Sequence, residues 1–322
     1  MSRAPHYRGA LWSAGLVAVL IGLLAGEGEA ATAPALSVQF LFEVSGYMPQ
    51  RPFRRPAALA VDASRRVMYV ADPEDHCVVA LSLEGVPGYL LECGPQFQPI
   101  GLALQHDGNL LVSDQATGGL KVFGPGGQLQ TEWDVAALSG LKQARAGRLW
   151  VDKAGLLYVV DQPDCRILVF DAQQHVRLQF GARGGRQGQF QMPEAVGTDR
   201  FGRIYVTDSV GTPLQVFDSR GHFLNSAGQH GQQPGQFLCP TALWVDRFDQ
   251  VWVVDTEQHQ ITVLDRFGFP LRQFGVFGQA PGQLYFPIAL ALDGLGRLFV
   301  AEREGRRVQV FTYADPLDQF SQ

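Results

Sequence analysis

The sequence predicts an all-β fold, a six-bladed β-propeller of four-stranded antiparallel blades whose last blade is closed by the N-terminal strand, and three observations carry that prediction. The first is a constant spacing. Asp114, Asp161, Asp208, Asp255 and Glu302 follow one another at intervals of 47 residues, each closing a similar phrase: Leu111-Val-Ser-Asp114, Tyr158-Val-Val-Asp161, Tyr205-Val-Thr-Asp208, Trp252-Val-Val-Asp255 and Phe299-Val-Ala-Glu302. Tyr69-Val-Ala-Asp72 is a sixth copy, 42 residues before Asp114. The second is the content of one period, four short apolar runs between turn residues. The third is the pair of chain ends, each of which holds part of a blade.

The period between residues 190 and 228 gives the four strands in order. Strand a is Ala195-Val-Gly-Thr-Asp199, and a Phe-Gly turn at 201 and 202 leads to strand b, Arg203-Ile-Tyr-Val-Thr-Asp208. Strand c is Leu214-Gln-Val-Phe-Asp218, and after Ser219-Arg-Gly221 comes strand d, His222-Phe-Leu-Asn-Ser226. Runs of five or six residues rich in Val, Ile, Tyr and Phe, alternating with period 2 and bounded by Gly, Asp and Ser, form strands and not helices. Each unit is a meander that buries its faces only against its neighbours.

The a strands are expected to line the axis: Ala58-Leu-Ala-Val-Asp62, Gly101-Leu-Ala-Leu-Gln105, Arg148-Leu-Trp-Val-Asp152, Ala195-Val-Gly-Thr-Asp199, Ala242-Leu-Trp-Val-Asp246 and Ala289-Leu-Ala-Leu-Asp293. Crowding there favours small residues. Trp150 and Trp244 break the pattern and are read as filling space between blades.

The last unit reaches strand c at Arg307-Val-Gln-Val-Phe-Thr-Tyr313 and then runs into Ala-Asp-Pro, with no fourth strand after it. Val38-Gln-Phe-Leu-Phe-Glu-Val44 at the other end has the pattern of the missing one. Residues 37 to 44 are therefore expected to pair with residues 307 to 313, which leaves no open sheet edge. The repeat outweighs the two domains that 322 residues would otherwise suggest. The expected organisation is a propeller over 37 to 316 and a short tail over 317 to 322.

Residues 1 to 33 precede the array. Arg3 and Arg8 stand before an uncharged apolar run from Ala10 to Ala25, and small residues follow at Gly28, Ala30, Ala31 and Ala33. This layout predicts a secretory signal cleaved between Ala30 and Ala33, hence an exported protein, periplasmic or extracellular. Sixteen residues are few for a spanning helix, which needs about 20. An uncleaved anchor that tethers the chain to a membrane is the alternative.

Export permits a disulfide. Cys77 opens strand c and Cys93 closes strand d of the first blade, so the intervening hairpin places them on adjoining strands, and a bond between them is one expectation, four buried thiols the other. The net charge of -5 stays the same when residues 1 to 33 are removed with Arg3, Arg8, Glu27 and Glu29. That balance argues against nucleic acid as a partner, because phosphates require a basic face.

The chain resembles the NHL-repeat proteins. Their phrase is matched by Gly188-Gln-Phe190, Pro193, Asp199, Gly202, Tyr205 to Asp208, Leu214 to Asp218 and Gly221. It recurs at Gly235-Gln-Phe237, Pro240, Asp246 and Asp255, and at Gly282-Gln283, Pro287, Asp293, Gly296 and Phe299 to Phe311. The likeness covers residues 37 to 313 and departs at Ser139 to Gly147, which has neither the Gly-Gln-Phe nor the Pro. The resemblance implies a propeller and leaves enzyme and scaffold open.

In the amidating-lyase branch of these proteins, catalytic zinc is held by histidines directly after the Pro that enters strand a. Here those positions are Ala57, Ile100, Gly147, Glu194, Thr241 and Ile288, so the zinc site of that branch is absent. Of the seven histidines, His6 lies in the leader, His106, His175 and His222 in turns of the far face, and His230 in a loop between blades; His76 and His259 each follow a strand b aspartate by four residues. All are read as surface side chains. Lactonase-like propellers arrange a Glu with Asn and Asp around calcium, which wants six to eight oxygens. Glu194, with Thr241 beside it, is all this chain offers, so Glu194 is the one catalytic candidate and no cofactor is expected, calcium being the ion left open. The repeated acids ending strand b are read as turn-fixing groups.

One cluster suggests a ligand. Arg51, Arg54 and Arg55 lie in the loop before the first blade and Arg303, Arg306 and Arg307 in the b to c turn of the sixth, which ring closure makes neighbours. Guanidinium groups at one seam would favour an anionic partner through paired hydrogen bonds, with Tyr285 and Phe286 as an apolar anchor; the competing reading is solvated charge offset by Glu43, Glu302 and Glu304. The sequence thus points to an exported scaffold that binds a protein, a peptide or an anionic glycan. A metal-assisted hydrolase or lyase around Glu194 is the alternative.

Overall fold

The computed structural model describes residues 37–48, 50–92 and 94–314. The expected leader over 1 to 33, the tail over 317 to 322 and Cys93 lie outside the described residues.

Six four-stranded antiparallel sheets make up the described chain, together with a two-stranded ribbon of Gly46–Met48 and Arg51–Pro52. Blade 1 runs from Ala58 to Glu92, blade 2 from Pro99 to Trp133 and blade 3 from Leu149 to Phe180. Blades 4 and 5 run from Pro193 to Ala227 and from Pro240 to Phe274. Blade 6 takes Pro287–Leu292, Arg297–Glu302 and Arg307–Ala314 from the end of the chain and Ser37–Val44 from its start. The pairing runs from Ser37 opposite Ala314 to Val44 opposite Val308, with one irregularity between Phe40 and Phe42, so the expected closure is present. Consecutive a strands touch around the whole circle, the sixth returning to the first.

The apolar residues collect where blades meet. Six buried clusters fill the six junctions, each taking side chains from two adjoining sheets; Leu59, Met68 and Val79 of blade 1, for example, pack with Ile288, Phe299 and Val310 of blade 6. A sheet buried on both faces explains the nearly continuous apolar runs of strands b and c, such as Val251–Asp255, where every residue is buried.

The Gly-Gln-Phe phrase has a physical role. In the loops before blades 4, 5 and 6 the glutamine carboxamide oxygen accepts a backbone N–H three residues back, from Arg186 to Gln189 (3.1 Å), Gln233 to Gln236 (3.0 Å) and Ala280 to Gln283 (3.1 Å). The next residue, Phe190, Phe237 or Leu284, is buried against the neighbouring blade. The loop before blade 3, which lacks the phrase, forms a short helix at Val135–Ser139. Asp134 caps its start and Gly140, in the left-handed conformation at φ 70°, its end.

The acids that end strand b hold these loops down. Asp72 accepts the amides of Arg54 (2.7 Å) and Arg55 (3.0 Å), Asp208 those of Gln191 (2.7 Å) and Met192 (2.9 Å), and Asp255 those of Leu238 (2.7 Å) and Cys239 (3.1 Å). A buried carboxylate taking two or more N–H groups satisfies donors that the loop would otherwise bury unpaired. This is the turn-fixing role expected of the repeated acids.

Candidate functional site at the channel mouth

The loops from d to a and the turns from b to c emerge together on one face, around a concavity of about 430 Å³. Arg55, Ala57, Glu74, Gln98, Gln115 and Arg303 are part of its wall, and Arg148 forms its floor. Below Arg148 a second cavity of about 220 Å³ continues along the axis, lined by Ala58, Ala60, Ala195, Ala242, Trp150 and Trp244 among others.

Arg148 directly precedes strand a of blade 3, Leu149–Val151, at the position where the other five blades carry Ala or Gly. Its side chain crosses the pore. One terminal nitrogen donates to the carbonyl of Ala57 in blade 1, and the other to the carbonyl of Ile288 in blade 6 at 3.3 Å. Its own carbonyl accepts from Val160 at 3.0 Å, which fixes the start of the strand. The backbone in front of it is packed tightly: a Cβ at Gly101 would lie 2.4 Å from the Gly147 carbonyl oxygen, so these two blades approach only because residue 101 is glycine.

The charge on Arg148 is uncompensated at contact distance, because among the described residues no carboxylate comes within ion-pair range of it. Burial pushes its pKa down, Glu194 pulls it back up, and Arg303 adds to the depression. Glu194 lies across the mouth and is held by Ser209 Oγ (3.0 Å) and Gln162 Nε2 (3.4 Å). Its own pKa is raised, chiefly by burial, while Arg148 and the Ser209 hydroxyl act in the opposite direction. A guanidinium anchored to two carbonyls, open toward the mouth and short of a counter-ion, is prepared for an anion.

Trp150 of blade 3 packs on the cluster between blades 3 and 4 and Trp244 of blade 5 on that between blades 5 and 6, as expected of residues that fill space between blades, and they do more. They meet each other edge to face at the axis, with ring centroids 5.2 Å apart and planes at 87°, and Trp150 Nε1 donates to Thr198 Oγ1 at 2.9 Å. Blade 4 carries Gly197 at the same position of strand a, where a Cβ would lie 2.5 Å from Leu243 Cδ1 of blade 5.

The arginine seam divides into parts. Arg55 and Arg303 do line the mouth, with Glu74 3.5 Å from Arg55 and Glu304 3.2 Å from Arg303. Arg54 and Arg306 are exposed on the rim. Arg51 stands outside it, 3.9 Å from Glu92. Arg307 corrects the sequence reading: it is buried, bridges Glu302 (2.8 Å) and Glu43 (2.7 Å), and donates to the carbonyls of Gln279 and Gln283, so its guanidinium serves ring closure.

Tyr285 and Phe286 are half-buried around His259, whose ring centroid is 4.6 Å from that of Phe286. His259 Nδ1 accepts the Phe286 amide at 3.1 Å, and burial lowers its pKa. The outward ring of this group is Phe277, 60% exposed. The Thr241 hydroxyl pairs with that of Thr256 at 2.7 Å, and the Thr256 hydroxyl donates to the Pro287 carbonyl at 2.6 Å. Among the described residues no three His, Cys, Asp or Glu side chains converge as metal ligands would. Cys77 is buried opposite Glu92, and burial is the main cause that pushes its thiol pKa up to about 12. Its expected partner lies outside the described residues.

Arg148 was missed by sequence reading although the signal was present. Aligning the six a strands leaves a single arginine in a column of small residues.

A family model described as a 6-bladed beta-propeller matches residues 191–271. No curated protein matches the chain. Among solved structures, a Bacteroides thetaiotaomicron protein of unknown function is 16% identical with a TM-score of 0.67, covering 87% of this chain and 76% of its own. A gluconolactonase from Xanthomonas campestris is 13% identical with a TM-score of 0.66, over 88% of this chain and 92% of that one. Virginiamycin B lyase from Staphylococcus aureus is 11% identical with a TM-score of 0.61, over 86% and 99%. The architecture is that of a six-bladed propeller. At such identities the likeness extends to the fold and no further.

Proposed function

We propose that this chain is an exported binding scaffold of the NHL-repeat type whose channel mouth receives an anionic group, a carboxylate carried by a peptide or a glycan. One observation carries the reading: Arg148 extends from blade 3 to the carbonyls of Ile288 and Ala57, with no carboxylate of the described residues at ion-pair distance from it, and Arg55 and Arg303 stand on the wall above. The mouth, at about 430 Å³, suits a small group or the end of a chain better than a broad protein surface. Arg54 and Arg306 on the rim, with Phe277 and Tyr285 nearby, would meet the rest of such a ligand.

The lactonase and lyase neighbours support a second reading, a hydrolase or lyase with Glu194 as its acid or base. It is the weaker one, because the groups around Glu194 are hydroxyl, carboxamide and guanidinium and supply no nucleophile-and-base pair. Isothermal titration with citrate, inorganic phosphate and oligogalacturonate tests the first reading. Binding that is absent for all three, or unchanged in Arg148→Met, refutes it.

A further inference from the structure

The face opposite the mouth carries a pattern of its own. Three Arg-Phe dipeptides, Arg200-Phe201, Arg247-Phe248 and Arg266-Phe267, occupy its turns in blades 4 and 5. Phe201 is 58% exposed and Phe267 50%, with Phe269 at 67% beside them. The guanidinium carbons of Arg200, Arg203 and Arg266 lie 5.1, 5.7 and 5.3 Å from the Phe201 ring centroid, and those of Arg203 and Arg266 lie 5.3 and 4.9 Å from that of Phe267. The carboxylates of these turns face inward. Asp199 and Asp249 are buried, bonded to Arg203 at 3.0 Å and Arg200 at 2.7 Å, and Asp265 accepts the amides of Phe267 and Phe269. Arg266 has no carboxylate in ion-pair range among the described residues. The surface thus presents exposed rings and guanidinium groups, with Arg200 and Arg203 paired to the carboxylates beneath them.

The course of the chain selects a partner. Ser37 pairs with Ala314, and the Tyr313 amide bonds to the carbonyl of Gly296 in an a to b turn at 2.8 Å, so the chain enters blade 6 on this same face. Upstream, residues 10 to 25 hold no charge, and the 11 residues from 26 to 36 join them to the closing strand. Eleven residues reach about 40 Å at full extension. Where the apolar run stays uncleaved as an anchor, the alternative reading of the leader, a bilayer that holds it is within reach of the Arg-Phe face, and the mouth opens on the opposite side.

We propose that the turns of blades 4 and 5 opposite the mouth form a membrane-contact surface. Phe201, Phe267 and Phe269 enter the headgroup layer, and Arg200, Arg203 and Arg266 meet lipid phosphates, an arrangement that interfacial arginine and aromatic side chains favour. This surface is independent of the mouth and of what the mouth binds.

The test uses the full chain in vesicles of phosphatidylcholine, with and without phosphatidylglycerol, whose acyl chains carry bromine as a fluorescence quencher. Phe201→Trp and Phe267→Trp report from the proposed surface and Phe277→Trp from the mouth face, each after subtraction of the unsubstituted chain. The expected result is quenching at 201 and 267 well above that at 277, stronger with phosphatidylglycerol and reduced several-fold by Arg266→Glu. Equal quenching at all three positions, or none, overturns the proposal, and equal quenching without the anionic lipid overturns the assignment to phosphate. A response of the 201 and 267 reporters to envelope proteins but not to lipid would make the face a protein interface instead.

Discussion

Replacing Arg148 by methionine separates a binding role from a structural one, because the two roles predict opposite pairs of results. The side chain makes two hydrogen bonds to the carbonyls of Ala57 and Ile288. Bonds to a charged donor contribute about 1.5 to 3 kcal/mol each, whereas the desolvation of a guanidinium without a partner carboxylate costs several kcal/mol. These nearly cancel, and methionine keeps much of the stem, so unfolding stability should change by less than about 1 kcal/mol or rise. A carboxylate about 4 Å from the guanidinium gains roughly 4 kcal/mol at an effective dielectric of 20. After desolvation of the ligand, about 2 to 3 kcal/mol should remain, or roughly 30- to 150-fold in Kd. Titration calorimetry gives the affinity and urea unfolding the stability. Arg148→Lys, which keeps the charge and loses the planar fork, should fall between the parent and Arg148→Met. A methionine variant that loses more than about 2 kcal/mol of stability and binds anions unchanged would show that the arginine is a structural plug.

Four further outcomes follow from the same geometry. Because burial raises the Glu194 pKa, lowering the pH through that value neutralises a negative charge at the mouth; anion affinity should rise on acidification from neutrality and weaken again as pH increases, and Glu194→Gln should flatten that profile in calorimetry. Asp208 accepts the amides of Gln191, Met192, Val210 and Gly211, so Asp208→Ala should cost about 3 kcal/mol or more in urea unfolding through buried unpaired donors; a loss below 1 kcal/mol would contradict that account. Deleting residues 37 to 44 bares the edge strand Arg307–Ala314 and removes Glu43, one of the two carboxylates on Arg307, and sedimentation should show aggregation in place of monodisperse protein. If Cys77 and Cys93 are joined after export, the intact mass of the exported chain falls by about 2 Da relative to its reduced form, whereas free thiols leave it unchanged and Cys77, with its raised pKa, slow toward thiol reagents.

The architecture was legible because its cause is periodic. One set of strand and turn residues recurs at 47-residue intervals, and a strand missing at one end is present at the other. Side-chain direction was less legible, since it depends on which strands face each other across the axis. Trp150 and Trp244 are 94 positions apart in sequence and belong to non-adjacent blades, so their contact at the centre could not be read from either strand. Arg307 looked like one more member of a basic loop, but closing the ring places Glu43 beside it. The residue after the proline that enters strand a of blade 4 is Glu194, which the repeat makes legible. The decisive cation lies one place further on, in a column dismissed as small. The Arg-Phe pairs sit in three separate turns of the sequence, and their shared surface emerges once blades 4 and 5 stand side by side.

Because its first strand is stitched to its last, this chain cannot finish folding from one end to the other. Glu43 must wait for Arg307, 264 positions later, whereas Arg307 already finds Glu302 on the strand beside it. Five sheets can assemble from local pairings as the polypeptide emerges, but the final clasp requires a loop spanning nearly the whole array, and loop-closure entropy makes that encounter the slow one. Until it happens the molecule is an arc with two sticky ends. A nascent chain of this kind would profit from a chaperone that shields the early strand, and its lifetime as a closed disc would depend on how seldom that clasp reopens.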